Sequence, residues 1–146
     1  MLNQRKSFVG YTGFAILFLL IIFLGLKLQA NLYSNNRETY EVFPYYLFSA
    51  IFPVVIGIFL ALPHLFKTFP KTGKWTVNWA KLIVVGLPFM YLSIFPILYY
   101  SEILTLNLPF SSYILGGYFG RGASTSFETI TGIVTGYIVC TSIIKK

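Results

Sequence analysis

Acid is nearly missing from this chain. Four glutamates and no aspartate stand in 146 residues, against eleven Lys and Arg and a single His. Charged residues of both signs make up only 10%. Soluble globular proteins carry roughly 25%, so a water-facing surface cannot be assembled from this inventory. Cysteine is as scarce. Cys140 stands alone, which excludes an intrachain disulfide and a multi-cysteine metal site. His64 has no second His or Cys and no carboxylate near it in sequence, so a metal site has nothing to build on. No Gly-x-Ser-x-Gly, His-Glu-x-x-His or phosphate-cradling glycine loop occurs. The expectation is therefore a non-enzymatic protein without catalytic residues, cofactor or metal.

What the chain does have is apolar mass. It is 56% hydrophobic and 19% aromatic, with fifteen Phe and eleven Tyr, side chains that suit the core and headgroup belts of a membrane. A net charge of +7 in a soluble protein would point to nucleic acid. Here the basic residues flank apolar runs, the pattern that sets membrane orientation. The lipid bilayer is the expected partner, with anionic lipids at its cytoplasmic face, and nucleic acid is not.

The apolar runs predict an all-α protein, a bundle of four antiparallel transmembrane helices at about 8–30, 43–66, 82–104 and 125–144 in a single membrane domain. Arg5 and Lys6 precede the first run, as in a signal peptide, but the uncharged stretch 8–26 is longer than the apolar core of such a peptide, about 7–15 residues. A retained span is expected. The segment 31–42 reads as a polar loop. The segment 67–81 reads as a short basic loop at the inner headgroup layer, with Phe69, Trp75 and Trp79 interleaved among Lys67, Lys71, Lys74 and Lys81. The uncharged stretch 103–120 reads as an interfacial or re-entrant external segment.

Charge fixes the expected orientation. The N-terminus, the middle loop and the C-terminus hold eight basic residues, at positions 5, 6, 67, 71, 74, 81, 145 and 146. The other face receives Lys27, Arg37 and Arg121 and all four glutamates. Cytoplasmic loops collect Lys and Arg, so both ends are expected in the cytoplasm. The same bias argues against an antiparallel dual-topology dimer. The richness in Ile, Phe, Tyr, Asn and Lys points to an AT-rich bacterial genome and to the plasma membrane.

The last span carries the candidate sites. At about 100° per residue, one side collects Ser124, Thr125, Glu128, Thr129, Thr131, Gly132, Thr135, Gly136 and Cys140, and the other Phe127, Ile130, Ile133, Val134, Tyr137 and Ile138. A small, hydroxylated face normally turns toward other helices, because backbones approach closely there. Thr125, Thr129, Gly132, Gly136 and Cys140 are thus expected to pack, within the bundle or across an interface. Glu128 is a candidate ion or partner site, since an intramembrane carboxylate is costly. Arg121 is its candidate counter-charge, although glycines at 116, 117, 120 and 122 suggest a flexible turn there. The tripeptide Ile-Phe-Pro recurs at 51–53 and 94–96, at matched depth in antiparallel spans. These prolines are read as two independent bends, or as paired kinks opening a polar pocket.

The favoured function is an accessory subunit or modulator of a membrane complex, joined to another membrane protein through the Gly/Thr-rich fourth helix. The alternative is a homo-oligomeric channel or transporter using Glu128 for ion or proton binding.

Overall fold

The computed structural model describes residues 2–39, 43–70, 73–100 and 120–145. The protein is mostly helical and falls into two compact units, Met1–Tyr40 and Glu41–Lys146. Among the described residues, three helices are long and apolar enough to cross a membrane. The stretches that meet this length and composition are Gly10–Asn35, Phe43–Thr68 and Trp79–Leu98.

The first unit is a single helix, α1, over Leu2–Thr39. Its 38 residues make a rod about 57 Å long, well beyond the roughly 30 Å hydrocarbon core of a bilayer. The polar loop expected from residue 31 is helical as far as Thr39. No proline occurs in 2–39 and no glycine after Gly25, so nothing halts propagation once the apolar stretch has formed.

The second unit opens with α2, Phe43–Thr68. Pro44 stands in its first turn, where a missing amide has no intrahelical partner to lose, and Pro53 and Pro63 lie inside. Strand β1 follows over Trp75–Val77. The next helix, α3, is assembled from three pieces in direct succession: a turn at Trp79–Lys81, a π-helical turn at Leu82–Gly86 and an α-helix at Leu87–Tyr100. Asn78 caps its start, its side chain accepting from the Lys81 amide at 3.2 Å. The π turn has a local cause in Pro88, which has no amide to donate and crowds the carbonyl four residues back. Widening the preceding turn lets the Leu87 amide reach the Leu82 carbonyl instead.

Helix α4, Gly120–Thr141, comes last and is followed by strand β2, Ile143–Lys145. The two strands pair antiparallel, Trp75 opposite Lys145, Thr76 opposite Ile144 and Val77 opposite Ile143. Two expectations are corrected here. Of the glycines around Arg121, Gly120 and Gly122 are helical rather than in a turn, while 116 and 117 lie outside the described residues. The last helix also stops short of residue 144, because the β-branched Ile143 and Ile144 extend and close a ladder with the middle loop. That loop is correspondingly part strand. The expected external segment 103–120 lies outside the described residues except for Gly120, and so do 101–104 at the end of the third run.

The core of this unit is the junction of α2, α3 and α4. The α2–α4 pair makes the most extensive contact, and α3 touches both. Helix α4, with 22 residues, matches the three apolar helices in length but is interrupted by more glycine and hydroxyl side chains.

Candidate functional site

Two places concentrate the residues that could act. They are the seam between α2 and α4, and the paired strands at one end of the second unit.

The seam is built from small residues. Ser49, Pro53, Gly57 and Ala61 recur every fourth position on α2 and are all buried. Opposite them lie Gly132 and Gly136 of α4, also buried. The approach is close enough that side chains are excluded on both sides. A Cβ on Gly57 would run into the Ile133 carbonyl oxygen, and one on Gly136 into that of Val54. A Cβ on Gly132 would stand 2.7 Å from the Pro53 Cβ and 3.4 Å from the Ser93 Oγ. Gly132 therefore marks the point where α2, α3 and α4 converge. Pro53 of the first Ile-Phe-Pro tripeptide stands at that point, and Phe95 and Pro96 of the second are buried on α3.

Hydroxyls along α4 mostly turn back on their own helix. Thr131 donates to the Glu128 carbonyl at 2.9 Å and Thr135 to the Thr131 carbonyl at 2.8 Å. Thr141 and Ser142 donate to the carbonyls of Tyr137 and Ile138 at 2.8 and 2.7 Å. Such bonds satisfy a buried hydroxyl without a partner helix. Among the described residues no buried side-chain polar atom is left without a hydrogen bond. The seam is a close contact between helices in which the buried hydroxyls of Thr131 and Thr135 are satisfied within α4.

The candidate residues of the fourth helix divide accordingly. Gly132 and Gly136 lie in the seam, and Cys140 is buried as a free thiol. Thr129 and Glu128 are half-buried. Thr125 and Arg121 belong to the same helix, but their side chains lie outside the described residues. With 120–128 helical, positions 121 and 128 share one side of α4 about 10.5 Å apart along its axis. No group of three or more potential metal-binding side chains occurs among the described residues.

The second place is the strand pair. The Asn78 amide donates to the Ser142 carbonyl at 2.8 Å, tying the start of α3 to the end of α4. The Lys81 ammonium donates to the Thr141 hydroxyl at 2.6 Å. The Lys145 ammonium donates to the Phe69 carbonyl at 2.7 Å and stands 4.8 Å from the centroid of the Trp75 ring, a cation–π distance. Phe69 meets Trp75 edge to face at 5.3 Å. Lys67 and Lys74 are exposed at the same end, and Lys71 lies outside the described residues. The basic loop and the chain's last residues are thus one structure.

Sequence reasoning singled out the glycines of α4 and the lysines of the loop. It missed the Ser49–Ala61 stripe of α2, which the four-residue spacing of small side chains carries. It also missed β2, whose signal is two adjacent β-branched residues just before the terminal lysines. Compared with protein-family models, curated proteins and solved structures, the chain matches none.

Proposed function

We propose that the chain is a small non-enzymatic protein of the plasma membrane that crosses it four times, both ends cytoplasmic, and serves as an accessory subunit or modulator of a membrane complex. The observation that carries the reading is the division of labour among its helices. Helices α2, α3 and α4 close on one another through a satisfied, small-residue junction. Helix α1 forms a unit of its own, apolar on all sides over its central stretch. A helix hydrophobic all round belongs in lipid or inside a larger assembly. Because α2 of the same chain fills the glycine side of α4, partner contacts fall to α1 and to the large-residue side of α4, where Phe127, Ile130 and Tyr137 are exposed. The eight-to-three distribution of basic residues supports the orientation. The strand pair supports an antiparallel path, because it brings the α2–α3 loop and the C-terminal residues to one end of the unit.

Purification in mild detergent, followed by mass measurement of the native particle, tests the proposal. A heteromeric complex of fixed stoichiometry, lost when residues 14–28 of α1 are replaced by leucines, is the expected result. A pure homo-oligomer overturns it in favour of a channel or transporter. The observation favouring that second reading is Glu128, a half-buried carboxylate one turn from the three-helix junction.

A further inference from the structure

We propose that the strand pair and the lysines around it form a binding platform for the phosphate headgroups of anionic phospholipids. The inference rests on the four-span reading and names what that end of the molecule meets. Three observations carry it.

Within 43–100 and 120–145, no carboxylate stands near the positive charge there. Lys81 and Lys145 are held by neutral acceptors, a threonine hydroxyl and a backbone carbonyl, so position is fixed while charge is left over. Lys67 and Lys74 add two exposed cations. Glu128 is the one carboxylate in 43–100 and 120–145, and it lies about 20 Å along α4 from Thr141. That is about two Debye lengths at physiological salt. Within these residues the lysines have no nearby counter-charge, and an anionic headgroup would supply one.

The cations are interleaved with apolar rings. Phe66, Phe69, Trp75 and Trp79 are 64, 55, 48 and 65% exposed, and they adjoin the ends of the apolar helices α2 and α3. Ammonium groups beside exposed aromatics at the end of an apolar helix match a headgroup layer, where phosphate and acyl chain are met together. A nucleic acid would satisfy the lysines and leave most of that apolar surface in water.

The arrangement is also built rather than incidental. Two terminal residues of a flexible tail would not hold a lysine in one place. Here the backbone ladder fixes Lys145 against Trp75 and Phe69.

Trp75 and Trp79 are the only tryptophans in the chain, so tryptophan emission, excited to the red of tyrosine absorption, reports on this surface alone. The full-length protein is reconstituted into vesicles of equal parts phosphatidylcholine and phosphatidylglycerol, with bromine on the acyl chains of one lipid or of the other. Surface charge and bromine content are then identical in the two preparations. Brominated phosphatidylglycerol is expected to quench about two- to fivefold more strongly, and the preference to shrink as salt rises. The double variant Lys74→Gln/Lys145→Gln should lose the preference, and Lys74→Arg/Lys145→Arg, which keeps the charge, should retain it. Equal quenching by the two lipids overturns the proposal, as does a preference that the glutamine variant keeps. Absence of quenching by either lipid overturns it as well. An alkaline carbonate wash separates this failure from failure of the underlying reading. A protein released by the wash is not an integral membrane protein, whereas one that is retained and quenched equally lacks only the lipid platform.

Discussion

Adding one methyl group at Gly136 should destabilise the second unit, and the same methyl at Gly86 should not. At Gly136 the new Cβ runs into the Val54 carbonyl oxygen and stands 2.9 Å from the Ile58 amide nitrogen. Both are helix backbone and cannot rotate away, so α2 and α4 must separate. Overpacking of this kind costs about 1–3 kcal/mol, and a rigid backbone neighbour puts Gly136→Ala toward the upper end. Against that, alanine is favoured over glycine in a helix interior by about 1 kcal/mol. The net expectation is a loss of about 2 kcal/mol. At Gly86 the new Cβ would meet the Ile138 Cγ2 and the Leu82 Cδ1 at 3.5 Å, ordinary van der Waals contact. Gly86→Ala should therefore keep the propensity gain and be neutral to stabilising by up to about 1 kcal/mol. Equilibrium unfolding in mixed micelles at rising dodecyl sulfate fraction, followed by far-UV circular dichroism, gives both values on one scale. Gly57→Ala should behave as Gly136→Ala does, since its Cβ meets the Ile133 carbonyl oxygen across the same seam. Each single change already forces the helices apart, so the double variant should lose less than the sum of the two. Gly136→Ala at wild-type stability, or Gly86→Ala falling equally far, would refute the close approach.

Further outcomes follow from the same geometry. Cysteines introduced at Asn36 and at Lys71, each in a Cys140→Ser background, should react differently in intact cells. Only the Asn36 site should take an impermeant thiol reagent, and labelling at Lys71 would reverse the orientation. Glu128→Gln should leave expression, assembly and cellular phenotype intact if the protein is a subunit; loss of an ion flux with the fold retained would support a transporter instead. Removing residues 143–146 deletes β2 and should lower stability by about 1–2 kcal/mol, read from the same detergent titration, while leaving the α2–α4 seam in place. An unchanged midpoint would mean that the strand pair adds nothing to the fold.

Helical class and the positions of the apolar helices were legible because bilayer-length runs leave little choice of structure. The ends were less legible, since hydropathy marks where a helix becomes polar and not where it stops. Residues 31–39 are polar yet lack any breaker, and α1 runs through them. The glycines at 120 and 122 look like a turn in isolation, but one or two glycines at a helix start cost only about 1 kcal/mol each. They are helical here. Half of the seam was visible as the Gly-x-x-x-Gly pair of α4. Its complement on α2 was hidden because Pro53 drew notice as a kink, although in the fold its ring also serves as a small surface against Gly132. The pairing of 75–77 with 143–145 spans most of the second unit, and no local pattern announces a contact of that range.

The composition of α4 and its position in the fold explain each other. Its Thr and Gly residues would be a poor surface to offer to lipid, which is why this helix falls below the other three in apolar content. Each of those residues that faces α2 is relieved of that requirement. The glycines become room for a neighbouring backbone, and the buried hydroxyls of Thr131 and Thr135 bond to carbonyls of their own helix. The side of α4 turned away from α2 keeps Phe127, Ile130, Tyr137 and Val139, all exposed and all at home in a membrane. In the four-span arrangement proposed here, α4 can cross only as part of a pair. Insertion should then depend on α2: with the seam blocked by Gly57→Leu, a glycosylation acceptor placed within 103–120 should become misplaced relative to the bilayer far more readily than one in the loop that follows α1. Unchanged modification at both sites would mean that α4 inserts on its own hydrophobicity and that the seam forms afterwards.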